Sequence, residues 1–163
     1  MIYTSKSIST NINISTYIKV GDEFIDIFQY EGDIKDIDYI DGALELTING
    51  KPLITKLMWD YIDQIWSYFS KGLSLVYENQ EFKCYFPDQP IDVKFIPLKG
   101  HKRVCVSISS HILPEVKTSI EKNEFLIEMR DHAIKFFERL EYLKSSTMGT
   151  RVAAMRYLEK INL

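Results

Sequence analysis

The chain has 163 residues and a formal net charge of −3, and 45% of its residues are hydrophobic, 26% charged and 13% aromatic. This composition excludes a disordered chain, and the length fits one domain, so we expect a single domain over residues 1–163.

Residues 1–20 contain Ser, Thr and Asn where a secretory signal would need an apolar core. No run approaches the roughly 20 apolar residues of a membrane span. The two cysteines, Cys84 and Cys105, form no CxxC motif, so neither a disulfide scaffold nor a zinc site is expected. We therefore predict a cytoplasmic protein that uses no cofactor and no metal.

The first half of the chain shows the period-2 alternation that is typical of β-strands. Apolar residues alternate over residues 12–20, with a slip near Thr16 that we interpret as a bulge. Similar alternation predicts strands at residues 24–28, 36–39 and 44–48. In the second of these, Asp36 and Asp38 would lie on one side of the strand. Asn49-Gly50 predicts a hairpin, because both residues tolerate positive φ, so this half should be an antiparallel meander.

A helical pattern interrupts the strands. Apolar residues recur at helical spacing from Lys56 to Phe69, which predicts a helix that stops at Gly72. Asp60 and Asp63 fall on the side opposite the apolar stripe. The two tryptophans are seven residues apart near one face and are predicted to pack in the core: Trp59 and Trp66.

The second half begins with strands and ends with helices. Alternation predicts strands at residues 73–77, 82–86, 91–95 and 104–108, with a rigid turn at 86–90. Pro114 makes residues 111–119 an edge strand or a loop. Asn123 is the expected N-cap of a long helix, Ser145-Ser146 breaks it, and Thr147 or Thr150 begins a last helix. The buried side of that last helix is predicted to carry three residues: Val152, Met155 and Leu158.

This order of elements predicts the fold class. We expect an α+β protein with a largely antiparallel sheet, one helix inserted between two strand blocks, and two C-terminal helices packed on one face.

The sequence contains no motif for catalysis or cofactor binding. GxGxxG, GxxxxGK[ST], GxSxG and HExxH are all absent. Cys84 shares a strand face with two phenylalanines, which indicates a buried thiol. His132 is next to Asp131 on the long helix, where adjacent residues do not face each other, so we interpret it as a solvated residue. We predict no catalytic, cofactor-binding or metal-binding residue.

Charge is unevenly distributed along the chain. Residues 22–45 hold nine acidic residues and one base, Lys35, whereas the chain from Lys99 onward holds twelve Lys or Arg against eight Asp or Glu. Two interpretations fit the acidic segment. Its carboxylates either keep solvent-facing strands soluble and unpaired, or form a docking face for a basic protein. The residues predicted for such a face are Asp22, Glu23, Asp26, Tyr30, Asp33, Asp36, Asp38, Tyr39 and Asp41.

Several stretches resemble small uncharacterised bacterial proteins, some of which are similar to immunity proteins that accompany secreted toxins. The resemblance covers about residues 40–145 and includes no catalytic motif. The stretches that carry it are Asp41-Gly42-Ala43-Leu44-Glu45-Leu46, the Asn49-Gly50 turn, the Trp59/Trp66 helix and the turn Phe86-Pro87-Asp88-Gln89-Pro90. It implies a small cytosolic binder that blocks a toxin by direct contact, and it transfers no functional residue.

The leading hypothesis is a non-enzymatic protein-binding domain of the immunity type, with a basic protein as its partner. The C-terminal helices carry nearly as many acidic as basic residues, so we expect no nucleic-acid binding. No membrane partner is expected either. One alternative is a small-ligand-binding or enzymatic domain whose scattered site contains His101, Arg103 and Cys105. Another is a structural subunit that self-associates through the Trp/Tyr-rich helix.

Overall fold

The computed structural model describes residues 11–143 and 148–163, and over these residues it contains two antiparallel sheets and three α-helices. The first sheet consists of β1 (Ile12–Val20), β2 (Glu23–Asp26), β3 (Asp41–Ile48), β4 (Lys51–Ile54) and β5 (Asp60–Tyr61). The second consists of β6 (Phe82–Tyr85), β7 (Ile91–Pro97), β8 (Arg103–Ser110) and β9 (Val116–Glu121). The helices are α1 (Ile62–Tyr77), α2 (Lys122–Tyr142) and α3 (Met148–Glu159).

The first sheet has the strand order β2-β1-β3-β4, with β5 paired to β3, and the second has the order β6-β7-β8-β9. The predicted α+β class is confirmed, with one helix between two strand blocks and a C-terminal helix pair. The strands divide into two sheets rather than one. The predicted edge strand after Pro114 is β9, at the end of the second sheet.

The slip in the alternation near Thr16 has a different origin from the one predicted. β1 pairs with β3 in one continuous register, from Ile12 opposite Ile48 to Ile18 opposite Gly42. The predicted bulge is therefore wrong. Thr16 occupies a core-facing position of the strand and is 1% exposed, so a polar residue replaces an apolar one there without changing the register.

The Asn49-Gly50 hairpin is confirmed. Asn49 and Gly50 have φ values of 52° and 75°, and β4 pairs back onto β3 with Ile48 opposite Lys51. Positive φ at both central residues gives the twist that joins antiparallel strands tightly.

The inserted helix begins and ends later than predicted. Lys56–Met58 is a 3-10 helix, and α1 runs from Ile62 to Tyr77, so residues 73–77 are helical and the strand predicted there is wrong. Phe69, Leu73 and Val76 continue the helical apolar stripe and are fully buried.

Gly72 lies inside α1 and does not end the helix. Its missing side chain has a packing role instead. A Cβ on Gly72 would lie 2.5 Å from the ring of Phe82, so glycine lets β6 pack closely against this helix. The two tryptophans also differ from the prediction. Trp66 is fully buried within α1, whereas Trp59 precedes the helix and is 39% exposed.

The C-terminal helices are confirmed, with changes at their ends. α2 begins at Lys122 after the N-cap Glu121, so Asn123 lies in the first turn and is not the cap. Ser145, Ser146 and Thr147 lie outside the described residues. In α3 and the residues after it, Ala154, Leu158 and Ile161 are buried and Met155 is half-buried, whereas Val152 is exposed, contrary to prediction.

A contiguous aromatic core connects the helices with the second sheet. The ring of Phe95 on β7 lies 5.2 Å from Phe69 of α1 and 5.2 Å from Phe125 of α2. Trp66 continues this cluster 6.1 Å from Phe69. Among the described residues, no helix is long and apolar enough to cross a membrane.

Candidate functional site

The middle of the acidic segment forms an irregular loop rather than a strand. β2 ends at Asp26 and β3 begins at Asp41, so residues 27–40 connect them without regular structure. The strand predicted at 36–39 is therefore wrong. Asp36 Oδ1 instead accepts a hydrogen bond from the backbone N–H of Asp38 at 3.0 Å. Such local side-chain contacts compete with strand pairing. We call residues 27–40 the acidic loop.

Most of the predicted docking residues are exposed, and two are half-buried with hydrogen bonds to nearby backbone groups. Asp26 is half-buried, with Oδ1 accepting a hydrogen bond from the Phe28 N–H at 2.8 Å. Tyr30 is half-buried and its hydroxyl donates to the backbone carbonyl of Asp33. The exposed ones are Asp22, Glu23, Asp33, Asp36, Asp38, Tyr39 and Asp41.

The strand register brings part of this acidic set to one end of the first sheet. Ile18 lies opposite Gly42, and Val20 lies opposite Glu23. The turn at Asp22 therefore projects from the same end of the sheet as Asp41, the first residue of β3. Two lysines are also at this end. Each places its ammonium over an aromatic ring, Lys19 over Trp59 at 4.5 Å and Lys56 over Tyr17 at 4.3 Å.

Arg139 of α2 holds the first half of the acidic loop. Its Nε donates to the carbonyl of Ile27 at 3.1 Å, and its Nη2 donates to the carbonyl of Tyr30 at 2.7 Å and to the carboxylate of Glu31 at 3.0 Å. Tyr142 donates to the other oxygen of Glu31 at 3.1 Å. The Arg139 guanidinium and the Tyr142 hydroxyl lower the pKa of Glu31. Arg139 therefore fixes the backbone of the loop and neutralises one of its acids.

Asp63, at the start of α1, holds the other end. The backbone N–H of Ile40 donates to Asp63 Oδ1 at 3.4 Å, and the Ile62 N–H donates to the carbonyl of Ile40 at 2.8 Å. Asp63 is 3% exposed, and this burial raises its pKa to about 6. The sequence did not reveal this role, because the helix was predicted to start six residues too early.

A second buried carboxylate, Asp60 of β5, holds the turn at 86–90. Its Oδ2 accepts hydrogen bonds from the backbone N–H groups of Asp88 at 3.0 Å and Gln89 at 2.8 Å. Its Oδ1 accepts one from the Tyr61 N–H at 2.7 Å. Asp60 and Asp63 are therefore both structural groups, although the helical pattern placed them opposite the buried stripe.

Under the first sheet, Thr16, Trp66 and His132 form a chain of hydrogen bonds. Trp66 Nε1 donates to Thr16 Oγ1 at 3.0 Å, and Thr16 Oγ1 lies 2.7 Å from His132 Nε2. Because the indole can only donate, the Thr16 hydroxyl accepts from Trp66, and the direction of its second hydrogen bond, with His132, depends on the tautomer of the imidazole. His132 also stacks on Trp66, with ring centroids 5.2 Å apart. Burial lowers the pKa of His132 to about 4.

The solvated role predicted for His132 is therefore wrong. At neutral pH the imidazole is uncharged, and its Nε2 atom is engaged in the hydrogen bond with the Thr16 hydroxyl. A cleft of about 370 Å³ lies beside it. The cleft is lined by Ile14, Ser15, Thr16, Asp26, Phe28, His132 and Lys135.

The alternative site at His101, Arg103 and Cys105 is only partly assembled. Arg103 and Cys105 lie on one face of β8, and Cys105 is opposite Ser119 on β9. Arg103 Nη2 donates to the carbonyl of Ser119 at 3.0 Å. His101 is exposed in the preceding turn, with a φ of 58°. These contacts give Arg103 a role in joining two strands.

Comparison of the chain with protein-family models, with curated proteins and with solved structures finds no match. Among the described residues, no three His, Cys, Asp or Glu side chains lie close enough together to hold a metal ion.

Proposed function

We propose that this chain is a non-enzymatic, cytoplasmic protein-binding domain whose acidic loop docks on a basic surface of another protein. An immunity-type inhibitor that neutralises a toxin by direct contact is the specific form of this proposal. The observation that carries it is a 14-residue irregular loop (27–40) that Arg139 and Asp63 hold in place while the carboxylates of Asp33, Asp36 and Asp38 remain exposed.

The length and anchoring of the loop support a role in recognition. Irregular connections of more than about 12–15 residues are uncommon in compact domains and often functional. Here Arg139 holds the first half and Asp63 the last residue. A loop that is already ordered loses less conformational entropy on binding, which increases affinity.

The charge of the loop supports a basic partner. Four ion pairs occur among the described residues, and one of them, Arg139 with Glu31, reaches the acidic segment. The carboxylates of Asp33, Asp36 and Asp38 are exposed and belong to none of the four. Clustered charges of one sign accelerate association with an oppositely charged surface.

An aromatic residue at the end of the loop supplies the apolar contact that such an interface needs. Tyr39 is 55% exposed and stands edge-on to Tyr61, with ring centroids 5.1 Å apart. Tyrosine is enriched at interface hot spots, because its ring buries a large area with few rotatable bonds.

The test is affinity capture from the lysate of the native organism with three proteins: wild type, Asp36→Lys/Asp38→Lys, and the control Glu138→Lys/Glu159→Lys. The control makes the same change in net charge at exposed positions on α2 and α3. A protein retained by wild type and control but lost with the loop variant supports the proposal. Equal retention by all three, or no specific retention, overturns it.

The cleft beside His132 supports a second candidate function, the binding of a small ligand. Its volume of about 370 Å³ is at the lower end of the range for ligand sites. In a Trp59→Phe background, Trp66 is the remaining tryptophan, and it stacks on His132. A fragment that binds in the cleft should change Trp66 fluorescence, and an unchanged spectrum across a fragment library would remove this candidate.

A further inference from the structure

In the part of the chain that the structure describes, the strand β6 is an open edge of the second sheet. It is the terminal strand in the order β6-β7-β8-β9. The Phe86 N–H donates to the Ile91 carbonyl, and the register continues with Cys84 opposite Val93. Because backbone groups alternate in direction along a strand, those of Lys83 and Tyr85 point away from β7. They form a short row of donors and acceptors with no strand beside them in the described part of the chain.

The helix α1 makes a groove along this edge. The groove has a volume of about 500 Å³ and is lined on the helix side by Tyr68, Lys71 and Leu75, which are spaced by three and four residues. Phe82, Cys84 and Phe86 line the strand side. The absent side chain of Gly72 allows Phe82 to pack directly on the helix.

We propose that this groove binds an extended acidic peptide segment of a partner protein, which adds as a strand to β6. Strand addition uses the open backbone groups for affinity, and a neighbouring pocket reads alternate side chains for specificity. The groove has both features. Tyr85, which is 72% exposed, adds an aromatic surface at its end.

The charges around β6 select the chemistry of the peptide. The groove and its rim carry two lysines, Lys71 on the helix and Lys83 at the outer rim, and one acid, Glu81, in a chain whose net charge is −3. Lys83 also lies directly opposite Lys94 on β7, where like charges are unfavourable, and the one carboxylate on this face of β6 and β7, Asp92 opposite Tyr85, offsets only one of the two positive charges. An acidic side chain on an added strand relieves this repulsion.

Strand geometry gives the pattern that the peptide must have. Alternate residues of an added strand point to opposite faces, so one set packs into the groove against Leu75 and Cys84. The other set lies on the face of Lys83. The site therefore fits a segment in which apolar and acidic residues alternate.

The experiment uses a fluorescein-labelled heptapeptide of alternating Val and Glu, with a Val/Lys heptapeptide for comparison. Fluorescence anisotropy should show saturable binding of the Val/Glu peptide and at least tenfold weaker binding of the Val/Lys peptide. Hydrogen exchange should show slower exchange of the Lys83 and Tyr85 amides when the Val/Glu peptide is present. No saturable binding up to millimolar peptide, or unchanged exchange at both amides, overturns the proposal.

Two variants separate the backbone from the charge. Lys83→Pro removes an outward N–H that β7 does not use, and Lys83→Ala removes the charge but keeps that N–H. We expect Lys83→Pro to reduce affinity at least tenfold and Lys83→Ala about two- to fivefold, with thermal unfolding confirming that both fold. Equal affinity of Lys83→Pro and wild type contradicts strand addition.

Two further controls identify the occupant. Protection of the Tyr85 amide that rises with protein concentration, without peptide, would mean that a second copy of the chain occupies the edge, and the peptide proposal would be wrong. Asp36→Lys/Asp38→Lys should bind the Val/Glu peptide as wild type does. The two surfaces can therefore fail independently.

Discussion

Replacing Asp63 with Asn should stabilise the protein at neutral pH. The carboxylate is 3% exposed, and its pKa of about 6 in the folded state lies above the ordinary value of 3.8. At about 1.4 kcal/mol per pH unit, this interval corresponds to roughly 3 kcal/mol of unfavourable burial of the charge. Residual solvation reduces the figure, so we expect Asp63→Asn to gain about 1–2 kcal/mol at pH 7. The Asn oxygen can still accept the hydrogen bond from Ile40.

The sign of the pH dependence follows from the same values. Because the folded pKa is raised, the contribution of Asp63 is fully favourable below about pH 3.8 and is lost as the pH rises through about 6. The advantage of the Asn variant should therefore be largest above pH 6 and should vanish near pH 4.

Urea unfolding of wild type and Asp63→Asn at pH 4, 5, 6, 7 and 8 measures this difference in the free energy of unfolding directly. In a thermal unfolding experiment at pH 7, the substitution should raise Tm by roughly 2–8 °C. Asp60→Asn is the matched control, because Asp60 uses both oxygens to accept backbone N–H groups. An amide nitrogen in place of one oxygen should destabilise by about 1–3 kcal/mol at pH 7. An Asp63→Asn variant that is less stable than wild type at pH 7, or whose advantage grows toward acid, would refute the reasoning.

Three further predictions concern other buried contacts. Thr16→Val leaves the Trp66 N–H without its acceptor and should destabilise the protein by about 1–3 kcal/mol in the same urea assay. Thr16→Ser keeps the hydroxyl and should lose less, and equal losses for the two variants would contradict the hydrogen-bonded chain. Arg139→Ala frees the first half of the acidic loop, so amide hydrogen exchange should accelerate at least tenfold at Tyr30 and Glu31 but not within α1. Unchanged exchange at Tyr30 and Glu31 would show that other contacts hold the loop. Burial raises the pKa of Cys84 to about 12, so very little of its thiol is in the reactive thiolate form at pH 8. In a Cys105→Ser background, iodoacetamide at pH 8 should therefore alkylate Cys84 about a thousandfold more slowly than an exposed cysteine. Alkylation at the rate of an exposed cysteine would mean that the thiol is accessible.

The sequence predicted those elements whose pattern has one interpretation. The alternation of β1 and β3 and the Asn49-Gly50 turn specify strands and a hairpin, and the structure has them. Residues 73–77 were ambiguous, because Leu73, Leu75 and Tyr77 alternate like a strand while Phe69, Leu73 and Val76 repeat like a helix. The structure follows the helical pattern, because it buries Phe69, Leu73 and Val76 on one stripe. Gly72 lies within this helix, and glycine is needed there because Phe82 packs against it.

The sequence shows the acidity of the candidate surface, but it does not show which residues hold the acidic loop and the neighbouring core in place. Arg139 is 112 residues from Ile27, and His132 is 116 residues from Thr16. Contacts over such separations depend on the packing of α2 against the first sheet, and they leave no local pattern. Asp63 was overlooked because its burial depends on where α1 begins.

The most direct test of the central claim is the association rate of the captured partner with wild type and with Asp36→Lys/Asp38→Lys, measured at low and high ionic strength. If the acidic loop is the docking face, the variant should associate at least about tenfold more slowly at low salt, and the difference should shrink as salt screens the charges. Equal association rates with equal salt dependence would contradict the claim that the partner docks on this loop.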